Sequence, residues 1–320
     1  MRRLIVTLML AGTAISIASA APEKPEHGDA RPFDRELMEL RGTLESAELV
    51  ALITDPDLAE ISGIAASRRH PGLFWVHNDS GDSAHLFAID QHGQRQAELT
   101  LQGIRNTDWE DIASFQYKGQ NYLMVADTGD NGGVRHELSL QAIVEPTALG
   151  DTQSPVAWTI RFRWPDGPRD CEAMTVDAEE GYVYLVSKKR IPAELWRVPL
   201  APSESVRIAE EVTTLGGIAQ PSPLDLQLNP VYGRYRSQIT GADLSPDRSR
   251  LVVLNYRGVY VYQRNADGSW PKGPVPPLQS LELPWVPQAE AIGFDPDGHS
   301  VWVSSERLPA PLLRLPLDPH

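Results

Sequence analysis

Short apolar runs recur along the chain, and each follows a turn made of polar residues, glycine or proline. Five of these runs are rich in β-branched and aromatic residues, at 73–76, 122–125, 183–186, 251–254 and 301–303. Runs of this length and composition between turns are typical of β-strands. The pattern therefore predicts an all-β protein.

The five runs belong to a repeated unit of 18 residues, which aligns without a gap at 62–79, 110–127, 172–189, 240–257 and 290–307. Each copy opens on a polar residue, followed by a small or short residue and then an apolar one. A turn separates this opening stretch from the apolar run of the same copy. We therefore interpret each copy as a β-hairpin.

Two more strands are predicted after most of the hairpins. They lie at 85–90 and 95–101, 137–144 and 156–164, 194–198 and 207–215, and 259–263 and 278–283. Four strands in a repeat of roughly 40 to 50 residues are the signature of a β-propeller blade. Only the strand 312–315 follows the last hairpin, so the strand at 48–53 is expected to complete that blade and close the ring.

Five repeats predict a single β-propeller with five four-stranded blades. The alternative is six blades, with a degenerate blade hidden between Pro202 and Ser237, where the sequence is loop-like. Four tryptophans in or beside predicted strands are expected to pack between blades: Trp75, Trp109, Trp196 and Trp302.

The residue that opens each repeat is expected to lie near one mouth of the central tunnel, because equivalent positions of a propeller form a ring. These ring residues are Ser62, Glu110, Glu172, Thr240 and Glu290. Three carboxylates in a confined site repel one another, so they need a cation, a basic partner or raised pKa values. Oxygen ligands suit Ca²⁺, and the absence of His and Cys from the ring argues against Zn²⁺. The sequence thus predicts a Ca²⁺ site, with a wide, water-filled and metal-free tunnel as the alternative.

A second set of charged residues comes seventeen positions after the ring residues, just past the second strands: Asp79, Asp127, Lys189, Arg257 and Arg307. They are expected to surround the same mouth, with an acidic side and a basic side. Lys189, Arg190, Arg257 and Arg307 are the predicted binding residues for a phosphate or carboxylate group. Asp79, Asp127 and His77 are the candidate catalytic bases. Ordinary solvated charges at strand ends are the alternative interpretation.

The ring residues resemble the Ser-Glu-Glu-Ser-Glu calcium ligands of the calcium-activated nucleotidases, or apyrases, with Thr240 in place of the second Ser. Asp79 and the pair Lys189-Arg190 also match positions where that family places substrate-facing residues. The resemblance covers about 48–316 and implies a five-bladed fold with a central Ca²⁺. Arg257 and Arg307 depart from the nucleotidase pattern.

Two motifs, Glu60–Ile64 and Asp108–Ile112, look like the recurring pattern of phytase-like and esterase-like propellers in exported bacterial proteins. Together the resemblances imply a Ca²⁺-dependent hydrolase of phosphorylated or other anionic small molecules. A non-catalytic propeller that binds a ligand or protein in the cell envelope is one alternative, and a lactonase or esterase is another. The sequence contains no Gly-x-Ser-x-Gly, His-Glu-x-x-His, P-loop or Cys-x-x-Cys motif.

The net charge bears on the binding partners of the protein, and the N-terminal segment bears on its location. The chain has 29 basic and 43 acidic residues, a net charge of −14 that argues against general binding to nucleic acid. Arg2 and Arg3, an uncharged stretch at 4–20 and the small-residue ending Ala18-Ser19-Ala20 predict a signal peptide. An uncleaved membrane anchor is the alternative.

We predict a signal peptide at 1–20 with cleavage near Ala20, a leader at 21–47 and a propeller domain at 48–320. The protein is expected to be periplasmic or secreted, with no stable membrane insertion after the signal peptide is cleaved. The mature protein is expected to be a monomer. Cys171 is the only cysteine, so no intrachain disulfide can form.

Overall fold

The computed structural model describes residues 47–81, 83–228, 230, 233–284 and 286–317. The predicted signal peptide, and the predicted leader except Ala47, lie outside the described residues. Five antiparallel sheets of four main strands each confirm the five-bladed β-propeller. Within the described part of the chain, no helix combines the length and apolarity needed to cross a bilayer.

Twenty-two strands make up the described fold. In chain order they are β1 (Glu48–Ile53), β2 (Ile61–Ala66), β3 (Leu73–Asn78), β4 (His85–Asp90), β5 (Arg95–Gln102), β6 (Trp109–Tyr117), β7 (Gln120–Asp127), β8 (Leu138–Val144), β9 (Thr152–Pro155), β10 (Trp158–Arg163), β11 (Ala173–Asp177), β12 (Tyr182–Val186), β13 (Ala193–Pro199), β14 (Arg207–Ile208), β15 (Glu210–Leu215), β16 (Ile239–Leu244), β17 (Arg250–Asn255), β18 (Gly258–Gln263), β19 (Gln279–Glu282), β20 (Ala289–Phe294), β21 (Ser300–Ser305) and β22 (Ala310–Pro316). One short helix, α1 (Pro223–Leu228), and two 3-10 turns, Pro56–Leu58 and Gly233–Tyr235, lie in the connections.

Each predicted hairpin supplies the two innermost strands of one blade. Blade 1 contains β2 to β5, blade 2 contains β6, β7, β8 and β10, blade 3 contains β11, β12, β13 and β15, and blade 4 contains β16 to β19. Blade 5 combines β20, β21 and β22 with β1, which pairs antiparallel with β22. The N-terminal strand therefore closes the ring as predicted, and β2, β6, β11, β16 and β20 lie side by side around the tunnel.

Two blades carry a fifth, outermost strand, a position in the blade that the sequence pattern did not predict. β9 pairs parallel with β5 of blade 1, and β14 pairs parallel with β10 of blade 2. The predicted strand 207–215 is divided at Ala209, so its first part joins blade 2 and the rest joins blade 3. The segment 202–237, considered for a sixth blade, contains β14, β15 and α1. Because β14 and β15 belong to blades 2 and 3, the six-bladed alternative is excluded.

Apolar side chains fill the interfaces between neighbouring blades in five buried clusters. Trp75 and Trp109 pack between blades 1 and 2, Trp196 between blades 2 and 3, and Trp302 between blades 5 and 1. The inner strands approach closely, since a Cβ atom at Gly63 would lie 2.9 Å from the Ile112 amide nitrogen. This approach explains the small or short residue that follows each ring residue.

Candidate functional site at the mouth of the tunnel

A cavity of about 440 Å³ opens at the mouth of the tunnel, and we call it the mouth cavity. Its lining includes six carboxylates: Glu60, Asp79, Glu110, Glu172, Glu290 and Glu306. Lys188 and Arg307 are the basic residues of the lining. Acidic side chains therefore outnumber basic ones in a confined space, the arrangement that favours a bound cation.

The three glutamates of the predicted ring meet in this cavity, because each is carried by the start of an innermost strand. In four blades the ring residue is the extra residue of a β-bulge, which turns its side chain away from the regular alternation. Ser62 and Thr240 are also buried, but their hydroxyls donate to backbone oxygens of the next blade. The Ser62 Oγ–Glu110 O distance is 3.0 Å and the Thr240 Oγ1–Ala289 O distance is 2.7 Å.

The second set of charged residues lies in a different register from the prediction. At the end of the second strand, a backbone N–H group donates to the carbonyl oxygen of the residue two positions before the ring residue. The Asp79 amide donates to Glu60 in this way, and the Lys188 amide donates to Asp170. By this pairing the equivalent positions are Asp79, Thr128, Lys188, Tyr256 and Glu306. The constant spacing of seventeen is therefore wrong for blades 2 to 5, because the hairpin of blade 2 is one residue longer than that of blade 1 and those of blades 3 to 5 are one residue shorter.

This shift separates the predicted anion-binding residues. Arg307 lines the mouth cavity, and its Nε donates to Gln288 Oε1 at 2.7 Å. Lys189 is exposed and pairs with Asp170 at 2.7 Å, and Arg190 beside it is also exposed. Arg257 binds Asp225 at 3.2 Å and Glu282 at 3.8 Å. The structure thus places one of the four predicted residues, Arg307, in the lining.

Of the three candidate bases, Asp79 lines the mouth cavity. Asp127 is buried and accepts a hydrogen bond from Arg135 Nη2 at 2.6 Å, which commits it to an ion pair. His77 is fully buried, with its Nδ1 2.9 Å from the Asn78 carbonyl oxygen. Burial lowers the pKa of His77 to about 4, so its ring is neutral at neutral pH.

The structure adds carboxylates that the repeat alignment left out. Asp108 and Asp170 stand two positions before ring glutamates, as Glu60 stands before Ser62. Carboxylate oxygens of Asp79, Asp108 and Glu110 lie within 4.8 Å of one another, and those of Glu110, Asp170 and Glu172 do the same. The recurring acid at this position was the signal in the sequence that could have identified them.

Glu110 belongs to both groups, and its environment disfavours a bare negative charge. Burial raises the pKa of Glu110 well above its ordinary value, and the charge of Asp79 raises it further, while Lys188 opposes the shift. Burial also raises the pKa of Glu306 well above its ordinary value, with Glu290 as the next cause. A raised pKa favours the protonated form of such groups, and a bound cation favours the charged form.

Two lysines lie next to the group that contains Asp170 and Glu172. Lys188 contacts Glu172 and lies 3.9 Å from Asp170, and Lys189 pairs with Asp170 as well. Burial alone would raise the pKa of Asp170, but the two lysines hold it below its ordinary value. The charges of Lys188 and Lys189 thus offset those of Asp170 and Glu172 within the protein.

A loop of blade 2 lies against the carboxylates of Asp108 and Glu110. A Cβ atom at Gly129 would overlap Glu110 Oε1 and would lie 2.5 Å from Asp108 Cγ. The Thr128 and Gly129 amides both donate to the Asp108 carbonyl oxygen at 3.1 Å, which fixes the loop in this position. Only glycine at 129 leaves the two carboxylates where they are.

Two aspartates connect the inner strands below the mouth. Asp111 Oδ2 accepts from the Met174 amide at 2.8 Å and from the Ala242 amide at 3.2 Å, and Oδ1 accepts from Ile112 at 2.8 Å. Asp243 accepts from the Phe294 amide at 2.8 Å and from Thr175 Oγ1 at 3.0 Å. Burial raises the pKa of Asp111 well above its ordinary value and that of Asp243 to about 6. These side chains tie the blades together and form no part of the mouth cavity.

No family model and no curated protein matches this chain. Among solved structures, it is similar to hydrazine synthase of Kuenenia stuttgartiensis, at 13% sequence identity and a TM-score of 0.38. The match covers 79% of this chain, which spans 57% of the hydrazine synthase chain.

Proposed function

We propose that this chain is an exported β-propeller that binds Ca²⁺ at the mouth of its tunnel and, through the cation, an anionic small molecule. The observation that carries this proposal is the group of three carboxylate oxygens from Asp79, Asp108 and Glu110, all within 4.8 Å of one another. Oxygen ligands at irregular positions around a site open to water suit Ca²⁺. Glu110 is the one member of this group that also belongs to the ring resembling the calcium ligands of the apyrases.

The cation reverses the electrostatics of the mouth cavity. Six carboxylates against Lys188 and Arg307 repel an anion, whereas a bound divalent cation offers it a direct partner. Arg307 then stands in the lining as a second contact for a phosphate or carboxylate group. The other three predicted anion-binding residues, Lys189, Arg190 and Arg257, are not among the residues that line the cavity and have no part in this proposal.

Hydrolysis of the bound anion is the second candidate function, and the position of Asp79 favours it. Asp79 lines the cavity beside the proposed cation, where a carboxylate can accept a proton from an attacking water. The burial of His77 and the Asp127–Arg135 ion pair favour binding without turnover, because they remove the other two bases. Assay of phosphomonoesters, carboxylic esters and lactones with and without Ca²⁺ separates the two: Ca²⁺-dependent turnover supports hydrolysis, and binding without turnover contradicts it.

Thermal unfolding of the metal-stripped mature protein, with and without Ca²⁺, tests the binding proposal. A ligand that binds only the folded state at 100 times its Kd adds about 2.7 kcal/mol of stability. For a domain of this size we expect Tm to rise by about 5 °C or more. Glu110→Gln should abolish this rise in Tm, because it removes the carboxylate that belongs to both acidic groups.

Glu204→Gln provides the control, since Glu204 is an exposed carboxylate in the connection between β13 and β14. The Tm of the Glu204→Gln protein should rise on addition of Ca²⁺ as much as that of the unmodified protein. An unchanged Tm on addition of Ca²⁺ to the folded, metal-stripped protein would contradict the proposal.

A further inference from the structure

A second cavity of about 530 Å³ lies over blade 1, and we call it the side groove. Ala59 and Glu60 line both the mouth cavity and the side groove, so the two cavities adjoin. Small-molecule sites commonly have volumes of roughly 300 to 1,000 Å³. A ligand held at the mouth therefore has room to extend over blade 1.

The lining of the side groove combines hydrogen-bond acceptors with a small apolar surface. Asp57, Glu60 and Glu98 supply carboxylates, while Pro56 and the largely buried Phe87 are apolar residues of the lining. His85 also lines the groove, with its Nδ1 3.5 Å from Glu98 Oε1 and about a quarter of its side chain exposed. Carboxylates accept hydrogen bonds from hydroxyl groups, and a neutral imidazole can donate or accept.

The walls of the groove are held in place before any ligand arrives. Arg95 lies at the surface, 3.0 Å from both Asp55 and Asp57 and 3.5 Å from Glu98, with its guanidinium over the Phe87 ring. Asn78 Nδ2 donates to the Asp57 carbonyl oxygen at 2.7 Å. Fixed acceptors lose little conformational entropy when a ligand binds, which favours affinity.

We propose that the ligand is an anionic sugar, with its phosphate or carboxylate at the mouth and its hydroxyl-bearing ring in the side groove. This inference rests on the proposed function, because the anionic end is held through the cation. The described lining of the groove holds no Lys or Arg for a second anionic group, since the neighbouring Arg95 is engaged by Asp55, Asp57 and Glu98, and its polar side chains disfavour an alkyl chain. Hydroxyl groups on a ring with apolar faces match both parts of the lining.

Isothermal titration of the Ca²⁺-saturated protein with two pairs of probes tests the proposal. Glucose 6-phosphate is compared with inorganic phosphate, and galacturonate with acetate, so that each pair shares its anionic group. Two or more hydrogen bonds to hydroxyls are expected to give the sugar an affinity about ten-fold higher than that of its partner probe. A preference in one pair identifies a phosphate or a carboxylate as the anionic group.

His85→Ala and Glu98→Gln should each reduce this preference several-fold and leave the affinity for inorganic phosphate and the Tm shift by Ca²⁺ unchanged. His92→Ala is the matched control, because His92 is exposed in the turn between β4 and β5. Equal affinities within both pairs would overturn the anionic-sugar proposal while leaving the cation site intact. Failure of all four probes to bind beside a bound Ca²⁺ would overturn it together with the anion-binding part of the proposed function.

Discussion

Replacing Asp111 with alanine is expected to lower the free energy of unfolding by about 3 kcal/mol or more, since each buried polar group left unsatisfied costs about 1 to 3 kcal/mol. The Asp111 carboxyl accepts from three backbone amides, which belong to Ile112, Met174 and Ala242. Those residues lie on β6, β11 and β16, so the substitution loosens three blades at once. Urea unfolding followed by tryptophan fluorescence measures the loss as a lower midpoint.

Asp297→Ala is the matched control for this experiment. The Asp297 carboxylate is exposed in the turn between β20 and β21, where it accepts from the His299 amide at 2.8 Å. The free energy of unfolding should fall by less than about 1 kcal/mol, because water can replace that bond. Equal midpoints for the Asp111→Ala and Asp297→Ala proteins would show that the amides below the mouth do not depend on Asp111.

Gly129→Ala is expected to weaken Ca²⁺ binding by about ten-fold or more, since each 1.4 kcal/mol of lost ligation is one factor of ten. The new Cβ atom would overlap Glu110 Oε1 and the Asp108 carboxylate. Both are the ends of flexible side chains, so the carboxylates move and the backbone does not. The Tm of the metal-free variant should therefore stay close to that of the unmodified protein.

Gly132→Ala is the control within the same loop. A Cβ atom at Gly132 would meet only the Val134 side chain, at 3.7 Å, which is an ordinary contact. Its Ca²⁺ affinity should equal that of the unmodified protein. If Gly129→Ala also left the affinity unchanged, Glu110 and Asp108 would not be the ligands.

The architecture was predictable because the same sequence features recur in each copy of the repeat. The polar residue, the small residue and the turn recur, and each has a physical cause in the fold. The position after the ring must be small where neighbouring inner strands approach, as Gly63 does beside Ile112. Closure by β1 followed from the missing fourth strand of blade 5, and its pairing with β22 confirms it.

The outermost strands β9 and β14 could not be predicted in the same way. β9 has the polar sequence Thr152–Pro155 and β14 has two residues, so neither shows the alternation of a half-buried strand. Each is a strand because an exposed blade edge lies next to it and offers backbone hydrogen bonds. That edge exists only after the blades have formed.

The candidate site was predictable at the inner strands and less so at the second strands. The start of an inner strand is fixed by its apolar neighbours, so Glu110, Glu172 and Glu290 were placed correctly around the mouth. The second strand is reached through a bulge and a turn whose length varies. One residue of difference therefore puts Lys188 in the lining and leaves Lys189 exposed.

Isothermal titration of the metal-stripped mature protein with Ca²⁺ tests the central claim most directly. We expect saturable binding that is absent from the Glu110→Gln protein and retained by the Glu204→Gln protein. Loss of binding in the first variant alone would place the cation at the carboxylates of the mouth cavity. Absence of saturable binding, or equal binding by both variants, would contradict the account of this cavity as a cation site.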